Sequence, residues 1–289
     1  MNNNYIEFKK RRELGDILTD TFAFLRQNFK SLFSVVFKIA GIPFLLLILS
    51  SAYYSYASFG MMDPLSGGNQ LFQSGNILIA LILMLIFLMV FYGLLYGSVL
   101  HYIKSYIERK GEIDQSEIIQ GAKKDFGSFI GLGILSSIIM VVGFILCFIP
   151  GIYLYVPMSL TFSILVFRKV SVTDAISDSF QLIKNEWWIT FATLLVIGIL
   201  VYIVSMIFSV PMIIYTFTKA FTVASEGSMS NPSELFDWVF IVLNSIANAA
   251  QYILYIITTV ATAFIYFNLN ERKHFTGTLE QIDSLGKSE

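Results

Sequence analysis

The sequence has few of the residues that supply covalent, metal or catalytic chemistry. Its 289 residues include one cysteine, Cys147, and two histidines, His101 and His274. A single cysteine excludes an intrachain disulfide, and because Cys147 lies in an apolar run we expect a buried, inert thiol. The two histidines lie far apart without metal-ligand spacing, so the sequence predicts no metal and no cofactor.

Charged residues are also scarce, at 13% of the chain, whereas soluble domains have roughly 25%. The formal net charge of -1 gives no reason to expect nucleic acid as a partner. The sequence contains no glycine-rich nucleotide loop, no His-Glu pair of a membrane metalloprotease and no Gly-x-Ser-x-Gly elbow. We therefore expect a protein that is not an enzyme.

The sequence does contain six long apolar runs, in a chain that is 56% hydrophobic. A helix needs about 20 apolar residues to cross a bilayer. The runs therefore predict an all-α polytopic membrane protein with six transmembrane helices. We place these helices at 31–56, 77–103, 128–149, 151–168, 188–215 and 236–268.

Two helix boundaries are predicted from local signals. Pro150-Gly151 separates the third and fourth runs, and because Pro removes a backbone donor and Gly permits a tight reversal, we predict a hairpin there. Residues 231–234 (Asn-Pro-Ser-Glu) combine a capping Asn with Pro at the first helical position. They predict that the sixth helix begins before Phe236.

The basic residues lie on one side of the apolar runs. Of 19 Lys and Arg residues, 17 fall in the N-terminal segment, in the loops after the second and fourth runs, or in the tail. Lys219 alone lies on the opposite side, and Lys38 lies within the first run. The positive-inside rule then predicts that both termini are cytoplasmic. We expect a multi-pass protein of the cytoplasmic (inner) membrane, and frequent Asn, Lys, Phe, Ile and Tyr favour a bacterial source.

A short pattern recurs three times. Residues 15–29 align with residues 173–187, and a weaker copy spans residues 117–129. Each copy precedes two apolar runs that end in a basic pair. The pairs are Arg109-Lys110, Arg168-Lys169 and Arg272-Lys273. We predict one integral membrane domain, 1–289, built from three repeats of an amphipathic helix plus a transmembrane hairpin. The repeats span 13–110, 114–169 and 172–273, and a short cytoplasmic tail follows at 274–289.

The amphipathic segments each have one apolar stripe. In the first, apolar residues recur at spacings of three and four, as they do in the copy at 172–187. The residues of the first stripe are Leu14, Ile17, Leu18, Phe22, Leu25 and Phe29. Such a helix can lie in the headgroup region with its apolar face down, or it can pack on the cytoplasmic ends of the spans. The sequence leaves both interpretations open.

Four segments carry a family resemblance. They are 15–18 (Gly-Asp-Ile-Leu), 148–154 (Phe-Ile-Pro-Gly-Ile-Tyr-Leu), 172–187 and 266–272. From residue 13 to residue 285 the chain resembles the membrane domain associated with glycerophosphodiester phosphodiesterases, and related bacterial multi-pass membrane proteins of unknown function. The resemblance implies a membrane fold but no activity, because the phosphodiesterase reaction belongs to a separate soluble barrel for which this chain has no room.

Basic residues near the cytoplasmic boundary are candidate contacts for lipid headgroups. Lys38 lies about two turns into the first run, where a charge is costly and often functional, although a lysine stem can also snorkel to the interface. The three basic pairs would lie at the membrane surface. The candidate headgroup contacts are Lys38, Arg109, Lys110, Arg168, Lys169, Arg272 and Lys273.

Asn244, Asn248 and Gln251 form a polar stripe on the sixth run, at positions i, i+4 and i+7. Polar side chains in lipid must find partners. The stripe therefore indicates either hydrogen bonds between helices or the wall of a polar cavity.

Two functional hypotheses follow. The first is a non-catalytic membrane protein that organises lipid or partner proteins through its amphipathic helices and basic clusters. The alternative is a transporter or flippase for a lipid-like or small amphiphilic substrate, which the polar stripe favours. An intramembrane enzyme ranks third because no catalytic cluster is present. The expected partners are membrane lipid and a membrane protein that contacts the loops 57–76 or 216–235; the sequence does not indicate an oligomeric state.

Overall fold

The computed structural model of the chain describes residues 5–60, 70–225 and 235–285. Over these ranges the protein is all-α, without a strand. The helices in these ranges are α1 (Leu14–Gly60), α2 (Gln70–Glu108), α3 (Gln115–Lys124), α4 (Phe126–Leu146), α5 (Phe148–Met158), α6 (Thr161–Arg168), α7 (Val172–Ile183), α8 (Trp187–Ser225), α9 (Trp238–His274) and α10 (Thr276–Leu285).

Six stretches of these helices are long and apolar enough to cross a membrane. Five are single helices, and the fourth is built from α5 and α6 with a turn between them. The stretches are Leu14–Phe59, Ser74–Glu108, Phe126–Leu146, Phe148–Arg168, Trp187–Ser225 and Trp238–His274. The prediction of an all-α protein with six helices of membrane-spanning length is confirmed.

Several helices are much longer than the apolar runs that revealed them. α1 has 47 residues, which is about 70 Å at 1.5 Å per residue, against a hydrocarbon core of about 30 Å. The first amphipathic segment and the first predicted span are therefore one continuous helix. Neither Gly nor Pro separates them, since the residues at the join are Asn28, Phe29, Lys30 and Ser31.

The reversal between the third and fourth stretches lies at Cys147, not at the predicted Pro150-Gly151 turn. Cys147 separates α4 from α5 with an extended backbone, φ -175° and ψ 154°. Pro150 lies in the first turn of α5. Backbone N–H groups there have no hydrogen-bond partner within the helix, so the N–H that proline lacks removes no helical hydrogen bond. Gly151 instead permits close packing of α5 against α4. A Cβ placed on Gly143 of α4 would lie 3.4 Å from the Gly151 Cα. Cys147 is exposed, contrary to the expectation of a buried thiol, because it lies in the connection and not in a packed helix.

The sixth stretch begins later than predicted. α9 starts at Trp238, after Phe236, and Asp237 caps it: one carboxylate oxygen accepts hydrogen bonds from the N–H groups of Val239 and Phe240, both at 3.1 Å. A carboxylate satisfies these free donors as well as Asn does, so the helix needs no earlier cap. The predicted cap at 231–234 lies outside the described residues.

The chain divides into two compact units, and most of the long helices contribute to both. Unit 1 comprises Met1–Ala40, Gly93–Ile199 and Ile256–Glu289; unit 2 comprises Gly41–Tyr92 and Leu200–Tyr255. Unit 1 has an aromatic core in which Phe8 stacks on Phe264 at 4.2 Å and meets Phe24 edge-on at 5.2 Å. Unit 2 has its own aromatic contacts, including Phe44 with Phe91 at 5.4 Å.

The amphipathic segments of unit 1 pack one edge of their stripe and expose the other. In α1, Ile17 of the predicted stripe is buried, whereas Phe22 and Phe29 are 44% and 56% exposed. In α7, Ala175 and Ile183 are buried while Phe180 remains exposed. One edge of each stripe is therefore packed against the protein, and the other edge is exposed apolar surface.

Candidate functional site

Basic charge divides sharply between the two units. Unit 2 contains a single Lys or Arg residue, Lys219, and every other basic residue of the sequence falls in unit 1. Any site for an anionic ligand is therefore to be sought in unit 1.

The one cation of unit 2 is neutralised locally. Lys219 forms an ion pair with Asp237, and the Tyr215 hydroxyl donates to the same carboxylate oxygen at 2.5 Å. Burial raises the pKa of Asp237, but the hydrogen bonds from Lys219 and Tyr215 outweigh it and lower that pKa to about 2. This cluster ties α8 to the start of α9 and leaves no free positive charge at Lys219.

Several of the predicted headgroup contacts have protein partners instead. Lys38 donates to the Gln115 side chain at 2.8 Å. The ammonium group of this lysine therefore has a partner within the protein. Arg109 contacts the carboxylates of Asp114 and Glu117, both at 3.2 Å. Asp114 is also the N-cap of α3, and Arg109 therefore secures the start of that helix.

In the second and third basic pairs, three of the four residues also have protein partners. Arg168 forms an ion pair with Asp178 at 2.8 Å. Arg272 lies 3.5 Å from the Glu186 carboxylate, and the Lys273 ammonium donates to the backbone carbonyl of Gln181 at 2.5 Å. These residues join the ends of the apolar stretches to α7 and to the connection after it, which is a structural role.

Lys110 and Lys169 differ from these paired residues because their side chains have no protein partner within the described residues. Each follows the end of a helix in the left-handed conformation, with φ of 51° and 56°, and each is exposed. Within the described residues neither side chain makes a hydrogen bond or an ion pair. Of the seven predicted headgroup contacts, these two remain free to bind an anion.

Two cavities in unit 1 bring further basic residues together. The first has a volume of about 540 Å³ and is lined by Lys9, Lys104, Arg168 and Lys169, with Phe167, Tyr266 and Phe267 as its aromatic part. Its acidic lining residues are Glu108 and Glu280, and Glu280 is already paired with Lys9. A cavity lined by both basic and aromatic side chains suits an anionic amphiphile.

The second cavity, of about 460 Å³, shares Lys104 and Lys169 with the first and adds Lys124. The predicted second span ends at residue 103, so Lys104 and Lys124 are predicted only as charges of the loop that follows it. α2 continues to Glu108, and this places Lys104 on a helix facing both cavities. A helical projection that extended the second span past residue 103 could have identified Lys104 as a residue of that helix.

The polar stripe of α9 lies in unit 2 and is only partly satisfied. Asn244 donates to the Ser55 hydroxyl on α1 at 3.4 Å. Asn248 is half-buried and Gln251 is exposed, and neither side chain is hydrogen-bonded within the described chain. The structure supports a bond between helices for the first residue and leaves the other two available to a polar ligand.

Proton-transfer chemistry has little support in these cavities. Each cavity is lined by one histidine: His274 lines the first, and the second is lined by His101, whose Nε2 lies 3.0 Å from the Asp125 carboxylate. Its Nδ1 lies 2.4 Å from the place of a Cβ on Gly121, so the ring is packed against α3 and neither nitrogen points freely into the cavity. Within the described ranges, no cluster of three His, Cys, Asp or Glu residues could hold a metal ion. The lysines that line the two cavities are groups that can hold an anion.

The fold and this site define a multi-pass, all-α membrane protein in which one unit carries all but one of the Lys and Arg residues. No family profile matches the chain, and no curated protein or solved structure is significantly similar to it. The resemblance to the phosphodiesterase-associated membrane domain therefore stays a prediction.

Proposed function

We propose that the chain is a non-catalytic protein of a bacterial cytoplasmic (inner) membrane that binds anionic lipid and thereby organises lipid or partner proteins. The observation that carries this proposal is the division of basic charge: unit 2 has Lys219 alone, and Lys219 is neutralised by Asp237. An integral protein whose free positive charge lies at one set of helix ends attracts anionic headgroups there.

In the topology we propose, both termini are cytoplasmic and three amphipathic segments lie at the cytoplasmic boundary. Each segment would precede a transmembrane hairpin, in keeping with the repeat of the sequence. The exposed Phe22, Phe29 and Phe180 support this placement, because apolar side chains on an otherwise polar helix favour the headgroup region.

The attraction to lipid depends on the basic residues that have no protein partner. Each contributes about 1 kcal/mol near an anionic surface, whereas a paired arginine contributes less because its charge is already compensated. In the described ranges, the basic residues outside the cavities whose side chains have no hydrogen bond or ion pair include Arg26, Lys30, Lys110, Lys123 and Lys184. Lipid preference should therefore fall with this set and respond to salt.

The experiment compares lipids retained by the purified protein in nanodiscs of phosphatidylcholine with and without phosphatidylglycerol. We expect enrichment of phosphatidylglycerol around the wild-type protein. Replacing Lys30, Lys110, Lys123 and Lys184 with Gln should reduce that enrichment, whereas Lys219→Gln, in the control, should not. A wild-type protein without any preference for the anionic lipid contradicts the proposal.

A transporter for a small amphiphile is the second candidate, and the unsatisfied Asn248 and Gln251 favour it. Polar groups without partners in an apolar stretch are costly unless they meet water or a substrate. Replacing Asn244, Asn248 and Gln251 with Leu should abolish transport of a fluorescent phospholipid across proteoliposome bilayers and leave folding intact. Unchanged transport, or no transport by the wild-type protein, contradicts this candidate.

A further inference from the structure

The second cavity of unit 1 collects three lysines from three separate elements. Lys104 lies on α2, Lys124 ends α3, and Lys169 follows α6. None of the three side chains has a hydrogen bond or ion pair within the described chain. Like charges that converge without compensation are unfavourable unless a counter-ion is bound between them.

The acidic residues of this cavity do not compensate the lysines. Two line it, Glu117 and Asp125. Glu117 is engaged by Arg109 at 3.2 Å, and Asp125 lies 3.0 Å from His101 Nε2. Because both carboxylates have other partners, the cavity keeps an excess of positive charge.

The N-terminus of α4 also opens toward this cavity. Asp125 holds the N-cap position of α4, yet its side chain makes no capping hydrogen bond, because the carboxylate is engaged with His101. The first N–H groups of the helix therefore lack a side-chain acceptor. A Cβ on Gly127 would meet nothing within 4 Å, and Ser128 of the same turn lines the cavity. Open backbone donors at a helix N-terminus favour phosphate groups.

We propose that this cavity binds a phosphate group, held by Lys104, Lys124 and Lys169 and by the uncapped N-terminus of α4. The inference rests on the proposed function in one respect: we expect the phosphate to belong to a lipid headgroup. A free phosphate has the same chemistry, and the experiment separates the two sources. The volume of about 460 Å³ holds a headgroup phosphate with its attached alcohol.

Two matched pairs of lysines isolate the cavity from general surface charge. Lys123 and Lys124 are exposed neighbours in the last turn of α3, and only Lys124 lines the cavity. Lys110 and Lys169 both follow a helix end in the left-handed conformation, and only Lys169 lines it. The cavity variant Lys124→Gln/Lys169→Gln and the surface variant Lys110→Gln/Lys123→Gln therefore carry the same net charge.

The test uses the full chain in phosphatidylcholine nanodiscs, with inorganic phosphate as one probe and phosphatidic acid in the nanodisc as the other. Titration calorimetry measures phosphate affinity, and native mass spectrometry counts retained phosphatidic acid. At about fivefold per lysine, the cavity variant should lose about 25-fold in affinity for inorganic phosphate, while the surface variant keeps that affinity within about twofold. The single variants Lys124→Gln and Lys123→Gln repeat the comparison with the smallest change to the fold.

The outcomes separate this inference from the proposed function. Retention of phosphatidic acid alone identifies a headgroup site, and binding of inorganic phosphate identifies a site for the free anion; both support the phosphate cavity. Equal losses in the two double variants, or no binding of either probe, overturn it. If the surface variant loses phosphatidylglycerol enrichment while the cavity variant loses nothing, the proposed function stands and the cavity inference fails.

Discussion

Arg12 offers the sharpest test of how unit 1 is held together. Its side chain is fully buried, its Nε donates to Asp20 at 2.8 Å, and its Nη1 donates to the backbone carbonyl of Phe8 at 2.7 Å. The guanidinium also lies 4.7 Å above the Phe264 ring. Burial lowers the pKa of Arg12, although the hydrogen bond that Arg12 donates to Asp20 opposes this shift, and we expect the residue to remain charged.

Replacing Arg12 with Met keeps the volume and removes the charge. Removing one partner of a buried pair costs about 3–5 kcal/mol. We expect a loss of about 3 kcal/mol in the free energy of unfolding, at the low end of that range, because Lys10 also reaches Asp20 at 3.2 Å.

The matched control is Arg11→Met. Arg11 is exposed and lies over the Phe275 ring at 4.6 Å, a contact that contributes about 0.5–1 kcal/mol. Unfolding in mixed micelles, followed by tryptophan fluorescence, measures both variants. The double variant Arg12→Met/Asp20→Asn should recover part of the loss because no unpaired carboxylate remains. The reasoning is refuted if the two single variants lose the same free energy.

Three further predictions concern the helix junctions. Gly143→Ile should cost about 1–3 kcal/mol in the free energy of unfolding, because a Cβ there would lie 2.7 Å from Leu154 Cδ1; thermal melting measures it, and an unchanged melting temperature contradicts the packing. Asp114→Ala should remove the N-cap of α3 and cost about 1 kcal/mol in the free energy of unfolding. Local hydrogen exchange in α3 measures this loss, and slower exchange in the variant contradicts the prediction. Since the Asp237 pKa falls from 3.8 to about 2, its pairing with Lys219 stabilises the fold above pH 3.8 and is lost as the pH falls toward 2. The difference in melting temperature between the wild type and Asp237→Asn should shrink over that window, and a constant difference contradicts it.

The number of membrane-spanning stretches could be predicted because length and apolarity are local properties of the chain. Their bounds could not, since apolarity marks the part of a helix that suits lipid and not the whole helix. α1 begins at Leu14 although its apolar run was placed from residue 31, and α8 continues to Ser225 although its run was ended at residue 215. The turn at Cys147 was missed because Pro-Gly is a frequent turn signal that also fits the start of a helix.

The candidate site was predicted only in part, for a different reason. Residue type and position identified the basic pairs, but which of them stay free depends on partners distant in sequence. Arg168 meets Asn270 at 3.2 Å and Arg272 meets Glu186 at 3.5 Å, contacts that no local pattern encodes. Lys169 has a left-handed backbone, whereas its neighbour Arg168 still belongs to α6. Hydropathy and charge counts contain no information of that kind.

Cys147 gives the protein a native attachment point for a spectroscopic reporter. It is the sole thiol in the sequence and is exposed in the connection between α4 and α5. α4 has 21 residues, about 32 Å of helix, enough to place its two ends at opposite boundaries of a bilayer. A spin label on the wild-type chain would therefore measure the immersion depth of this hairpin tip directly, without any cysteine having to be removed first.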